Sequence, residues 1–245
     1  MSAAARHGEF PATHWTLIGR LHSGDQAVVR HALEDLCAQY HYPLYCYIRR
    51  RGLDHHGAQD ALHDFLAKLL RLDAFADADA GKGSLRSFLA AMLHRFLINW
   101  RRDQAHRELE VSVDALPPEA DPEERYQREQ FTEHETAERL FDRKWGHELL
   151  GRVMRRLGES YGSKGKAALF ESLRPILQAG GSLRGQDPAA LATTLSMTEG
   201  ALRVALTRLL RDYRTILEEE VLQTVASRDE VDGEIAHLLQ VFRKK

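Results

Sequence analysis

Arg203, Thr207, Arg211 and Arg214 recur at helical spacing and place three guanidinium groups and a hydroxyl on one face, which Gly200 shares. Such groups donate hydrogen bonds to phosphate oxygens and base edges, so the chemistry they offer is the holding of nucleic acid. Leu202, Leu206, Leu209 and Tyr213 fall on the opposite side and must face a core. By itself this describes an ordinary amphipathic helix with a solvated cationic face. What precedes it makes the difference. Pro188 follows Asp187 as a first helical position follows a cap, and Leu191 and Leu195 give that short helix an apolar stripe. A second helix starts after Thr198, and Ala192, Ser196 and Leu202 fall at the small, turn and apolar positions of a helix-turn-helix. The stretch from Asp187 to Arg214 therefore predicts two helices in a tight turn, the second suited to a DNA major groove. Ser196 departs from the pattern, because glycine is commoner at the turn.

A second cationic face lies upstream. Leu85, Phe88, Leu89, Met92, Leu93, Phe96, Leu97 and Trp100 form the strongest helical stripe in the chain, and His94, Arg95, Arg101 and Arg102 lie off it. Those cations could support a DNA backbone, with Asn99 near the bases; Trp100, on the apolar side, is expected in the core. In the preceding helix Ala58, Leu62, Phe65, Leu66 and Leu69 are the inward set. That leaves Asp60, His63 and Asp64 exposed, a surface for a basic protein partner.

These faces need elements to carry them, and nearly every periodic segment of the 245 residues is helical. The expected fold is all-α, with two helical modules joined by a linker. Helices are predicted over 26–51, 57–72 and 84–107, an acid-rich one over 123–140, and others over 143–157 and 166–177. The segment SVDALPPEADP, 112–122, has linker composition. A net charge of −2 conceals strong zoning: +3 over residues 1–107, −9 over 108–142, +7 over 143–214 and −3 over 215–245. The expected division is an N-terminal module 1–107, an acidic linker 108–142, a helix-turn-helix module 143–220 and a tail 221–245. The acidic bridge is long enough to fold back and screen the cationic faces. Two cysteines, Cys37 and Cys46, have no metal-ligand spacing, and no run suits a signal peptide or a membrane span, so a cytoplasmic protein without membrane insertion is expected.

QDALHDFLAKLL at Gln59–Leu70, GSLRSFLAAMLHRFLINWRRDQAHR at Gly83–Arg107 and the predicted helix-turn-helix resemble, in order and spacing, bacterial RNA polymerase sigma factors of the extracytoplasmic-function group. FPATHW at Phe10–Trp15 and RLFDRKW at Arg139–Trp145 resemble a subgroup with a long linker. The resemblance implies binding to core RNA polymerase and to promoter DNA, with an anti-sigma factor or a regulatory kinase as possible further partners. It implies no catalytic residue, cofactor or metal in this chain. Asp60, His63 and Asp64 fall where the family grips the polymerase clamp. His94, Arg95, Asn99, Arg101 and Arg102 fall where it reads the minus-ten element. Arg203, Thr207 and Arg208 fall at the minus-thirty-five element, and Thr198, Arg211 and Arg214 complete that expected set. Val204 and Ala205 stand where the family more often has polar residues.

Two other readings use the same residues. A transcriptional regulator could use the helix-turn-helix without core polymerase. A metal-dependent phosphohydrolase of the helical HD type would build on His63 and Asp64, but needs further His and Asp ligands converging from other helices. His31, His41, His55 and His56 are candidates, without diagnostic spacing.

Overall fold

The structure is a computed structural model that describes residues 20–21, 23–71, 84–103, 122–129 and 135–243. Regular structure among the described residues is entirely helical: α1 Gln26–Arg50, α2 His55–Arg71, α3 Leu85–Asp103, α4 Pro122–Arg128, α5 Ala137–Ser163, α6 Ala167–Gln178, α7 Pro188–Thr194, α8 Glu199–Leu222, a 3-10 turn at Arg228–Glu230, and α9 Val231–Arg243. The all-α expectation holds at this level. Residues Met1–His147 and Val221–Lys245 supply one compact unit, unit 1, and Glu148–Glu220 a second, unit 2. The division falls within α5 and within α8.

In unit 1, α1 begins where the Asp25 carboxylate accepts the Ala27 N–H at 2.8 Å. Leu33, Leu36, Tyr40, Leu44, Tyr47 and Ile48 then bury one side of it. Asp54 does the same for α2, accepting the Gly57 N–H at 2.8 Å, so that helix starts two residues before the predicted position. Leu85, Leu89, Leu93, Phe96, Leu97 and Trp100 are buried along α3, with Phe88 and Met92 half-buried at its margin. The predicted extension of this helix over 104–107 lies outside the described residues.

The acidic stretch expected as a linker contributes structure to this unit. Its first part, 108–121, lies outside the described residues, but α4 follows with Pro122 at its first position, and Tyr126 meets Tyr45 edge-on at 6.1 Å. Arg49 of α1 lies over the Tyr126 ring and donates to Glu123 at 2.9 Å. Where helices were expected over 123–140 and 143–157, α4 ends at Arg128 and α5 runs unbroken through 142 and 143. Leu140, Phe141, Trp145, Leu149, Val153 and Leu157 explain the continuity, since they form one buried stripe.

The expected tail also belongs to unit 1. The Leu85 N–H donates to the Thr224 carbonyl at 3.1 Å, and α9 lies close against α5 at Gly146. A Cβ on Gly146 would stand 2.7 Å from Leu238 Cδ1, so only glycine fits there without rearrangement. Arg86, buried on α3, donates to both carboxylate oxygens of Glu234 at 3.0 and 3.3 Å and to Asp142, whose other oxygen meets His237 Nε2 at 3.1 Å. The planar guanidinium also lies over Trp145.

In unit 2, Leu157 and Tyr161 of α5, Phe170, Leu173, Ile176 and Leu177 of α6, Ala192 of α7, and Leu202, Leu206 and Leu209 of α8 share one core. Helix α6 ends in a left-handed closure: Gly181 N–H reaches the Ile176 carbonyl at 2.8 Å and Gly180 N–H reaches Leu177 at 3.1 Å. At its far end α8 is tied to α5, because Glu220 accepts from Arg152 at 3.1 Å and Arg156 at 2.8 Å.

Candidate functional site

The α7–α8 turn is built by three local devices. Asp187 caps α7 by accepting the N–H groups of Ala189 and Ala190, both at 3.1 Å, with Pro188 in the first helical position. The chain then closes as it does after α6, with Met197 N–H on the Ala192 carbonyl at 2.9 Å and Ser196 N–H on Thr193 at 3.0 Å. Ser196 holds φ +52°, the left-handed conformation for which glycine is usual, and it is the non-glycine residue in that region among those described. Thr198 starts α8, its Oγ1 accepting the Ala201 N–H at 3.2 Å.

Buried Leu202, Leu206 and Leu209 fix the rotation of α8 and turn its other side to solvent. Arg203, Thr207, Arg208, Arg211 and Arg214 are all exposed there. Arg203 lies 3.7 Å from Glu199, Arg211 3.3 Å from its neighbour Asp212, and Arg214 2.8 Å from Glu218, all exposed pairs of small energetic weight that an incoming phosphate could displace. Arg208 has no ion-pair partner among the described residues. Thr207 donates its hydroxyl hydrogen to the Arg203 carbonyl at 2.9 Å, which leaves its oxygen as an acceptor. Thr198, by contrast, is committed to its cap.

In unit 1 the five residues expected to meet DNA divide into two groups. Arg95, Asn99 and Arg102 are exposed on α3, with Arg102 Nη2 3.4 Å from Asn99 Oδ1. His94 and Arg101 are exposed too but engage Arg51 at the end of α1: His94 Nδ1 accepts from Arg51 Nη2 at 2.9 Å, and Arg101 donates to the Arg51 carbonyl. Arg51 also donates to Glu138 and to Tyr47 Oη at 2.8 Å. Burial acts to raise the Glu138 carboxyl, but hydrogen bonds from its own N–H and from Tyr47, with the Arg51 charge, hold it below the usual carboxylate range. Burial lifts the Tyr47 hydroxyl above its usual range. This hub was missed from sequence because 26–51 was read only as a helix, without assigning its faces. The visible signal was the run Arg49, Arg50, Arg51 closing that helix.

The third expected set also separates. Asp60 and His63 are exposed on α2, as expected. Asp64 is half-buried and accepts the Trp100 Nε1–H at 2.8 Å, so the expectation that both acids are free on the surface is corrected. Trp100 is a core residue whose indole N–H needs an acceptor, and Asp64 supplies it. Among the described residues no group of three or more His, Cys, Asp and Glu is placed to hold a metal, and no helix is long and apolar enough to cross a membrane. Comparison with known proteins finds no matching family model, no matching curated protein and no matching solved structure.

Proposed function

We propose that this chain is a sigma-type transcription initiation factor, which binds core RNA polymerase and carries it to promoter DNA. The observation that carries the reading is the α7–α8 unit: a short capped helix, a left-handed turn at Ser196, and a long helix with a buried leucine side and an arginine-rich outer side. These features support reading the unit as a helix-turn-helix, in which the second helix enters the major groove while the first crosses the backbone. Arg203, Thr207, Arg208, Arg211 and Arg214 would meet phosphates and base edges there. The exposed Arg95, Asn99 and Arg102 of α3 support a second DNA contact, and exposed Asp60 and His63 of α2 support a contact with polymerase.

The test is transcription reconstituted from bacterial core polymerase and the full chain on a library of random promoter DNA. Initiation from a defined subset of sequences, absent with core polymerase alone, is the expected result. Sequence-specific duplex binding without any association with core polymerase would assign the chain to a regulator acting on its own. Neither binding nor initiation would remove the DNA reading.

A further inference from the structure

Resting on the proposed DNA reading of α8, we infer that Val204 is a specificity-determining residue that reads the C5-methyl group of a thymine in the major groove. Val204 is 50% exposed and is one of the few large apolar side chains facing solvent among the described residues. It lies inside the polar face of α8, with Gly200 one turn before it and Thr207 and Arg208 one turn after. Helical side chains lean toward the N-terminus, so the isopropyl group of Val204 lies toward the turn that begins at Gly200. Gly200 has no side chain to cover it, and apart from its chain neighbours and the helix's own backbone only Thr198 Oγ1, at 3.9 Å, comes within 4 Å of where a Cβ on Gly200 would be. The result is an uncovered apolar spot flanked by hydrogen-bond donors, at the end of α8 that a helix-turn-helix inserts deepest.

Phosphates and the base-edge acceptors of guanine or adenine offer such a spot nothing. Thymine alone among the bases carries a methyl group on its major-groove edge, and apolar side chains are its usual reader. The neighbouring cations Arg203 and Arg208 would hold the backbone on either side, which fixes the distance at which the methyl arrives.

The experiment uses the full chain, alone and with bacterial core polymerase, to select duplexes from a randomised library. In the selected duplex each thymine is then replaced by uracil, which removes only the methyl. One position is expected to lose about fourfold in affinity, the worth of one buried methyl-sized group. 5-Methylcytosine in place of cytosine would restore a methyl without a thymine and should recover part of the binding at that position. Val204→Ala, at an exposed site, should keep its helical circular dichroism and bind the thymine and uracil duplexes equally. Selection of a sequence with no uracil-sensitive thymine, or equal uracil sensitivity in Val204→Ala, overturns this inference and leaves the DNA reading standing. Failure to select any sequence under either condition overturns both.

Discussion

Asp64 and Asp60 stand one turn apart on α2 and carry the same charge, yet the structure gives them different work. Asp64 satisfies the Trp100 indole, and removing it leaves a buried donor without an acceptor. Asp64→Ala should therefore cost about 1 to 2 kcal/mol in thermal unfolding, while Asp64→Asn, which keeps an acceptor oxygen, should recover most of it. Asp60→Lys should leave the melting temperature unchanged and, under the proposed function, abolish co-purification with core polymerase by reversing a charge in the contact. Retained co-purification would remove Asp60 from the polymerase surface. The outward turn of Asp60 was legible from apolar spacing alone. The bond from Trp100 was not, because periodicity assigns a residue to a face and carries no information about which side chain arrives from another helix.

Among the elements, the turn between α7 and α8 asks for a left-handed residue and finds serine. That conformation costs an L-residue roughly 1 to 2 kcal/mol, of which glycine's greater freedom in the unfolded chain would return part. Ser196→Gly should stabilise the protein by about 0.5 kcal/mol in calorimetry, whereas Ser196→Val, β-branched, should destabilise it by about 1 to 2 kcal/mol. A destabilising Ser196→Gly together with a neutral or stabilising Ser196→Val would show that the turn is not strained. A different anchor governs α4. Burial acts against the charged Glu123, but hydrogen bonds from Tyr45 and Gln127 and the Arg49 guanidinium hold its carboxyl below the usual range. A depressed carboxyl contributes stability that is present above its unfolded value and lost as pH falls through the folded one. Glu123→Gln should then cost ~2 kcal/mol at neutral pH, and the gap to wild type should close under acid, as read by denaturant midpoints across pH. Caps and turns such as Asp187, Pro188 and Thr198 were readable because their signals are local. The attachment of α4 to α1 was hidden, since acids and prolines describe a linker as well as a short helix that pairs its acids with arginines of a distant segment.

At the scale of the whole molecule, the acidic stretch serves as counter-charge. Glu123 and Glu138 occupy Arg49 and Arg51, and Asp142 joins Glu234 on Arg86, so several unit 1 cations are already neutralised within their own unit. The deepest of these is Arg86. Glu234→Ala would leave its buried charge with Asp142 alone and should cost about 3 kcal/mol, while the double change Arg86→Met with Glu234→Leu should regain most of the loss. A double variant no more stable than Glu234→Ala would show that the ion pair itself, and not merely its balance, holds α9. The same clasp sets an order of events on the ribosome. Arg86 and Gly146 emerge early, but Glu234 and Leu238, their partners, are translated only after the whole of unit 2. At ~5–20 residues per second the interval between His147 and Arg243 lasts on the order of 5 to 20 s. Throughout it the nascent unit 1 carries a cation without its main carboxylate and an α5 surface without its covering helix. Polypeptides stalled in that window would hold a finished unit 2 beside an unfinished unit 1, and would be the form most readily taken by chaperones and proteases.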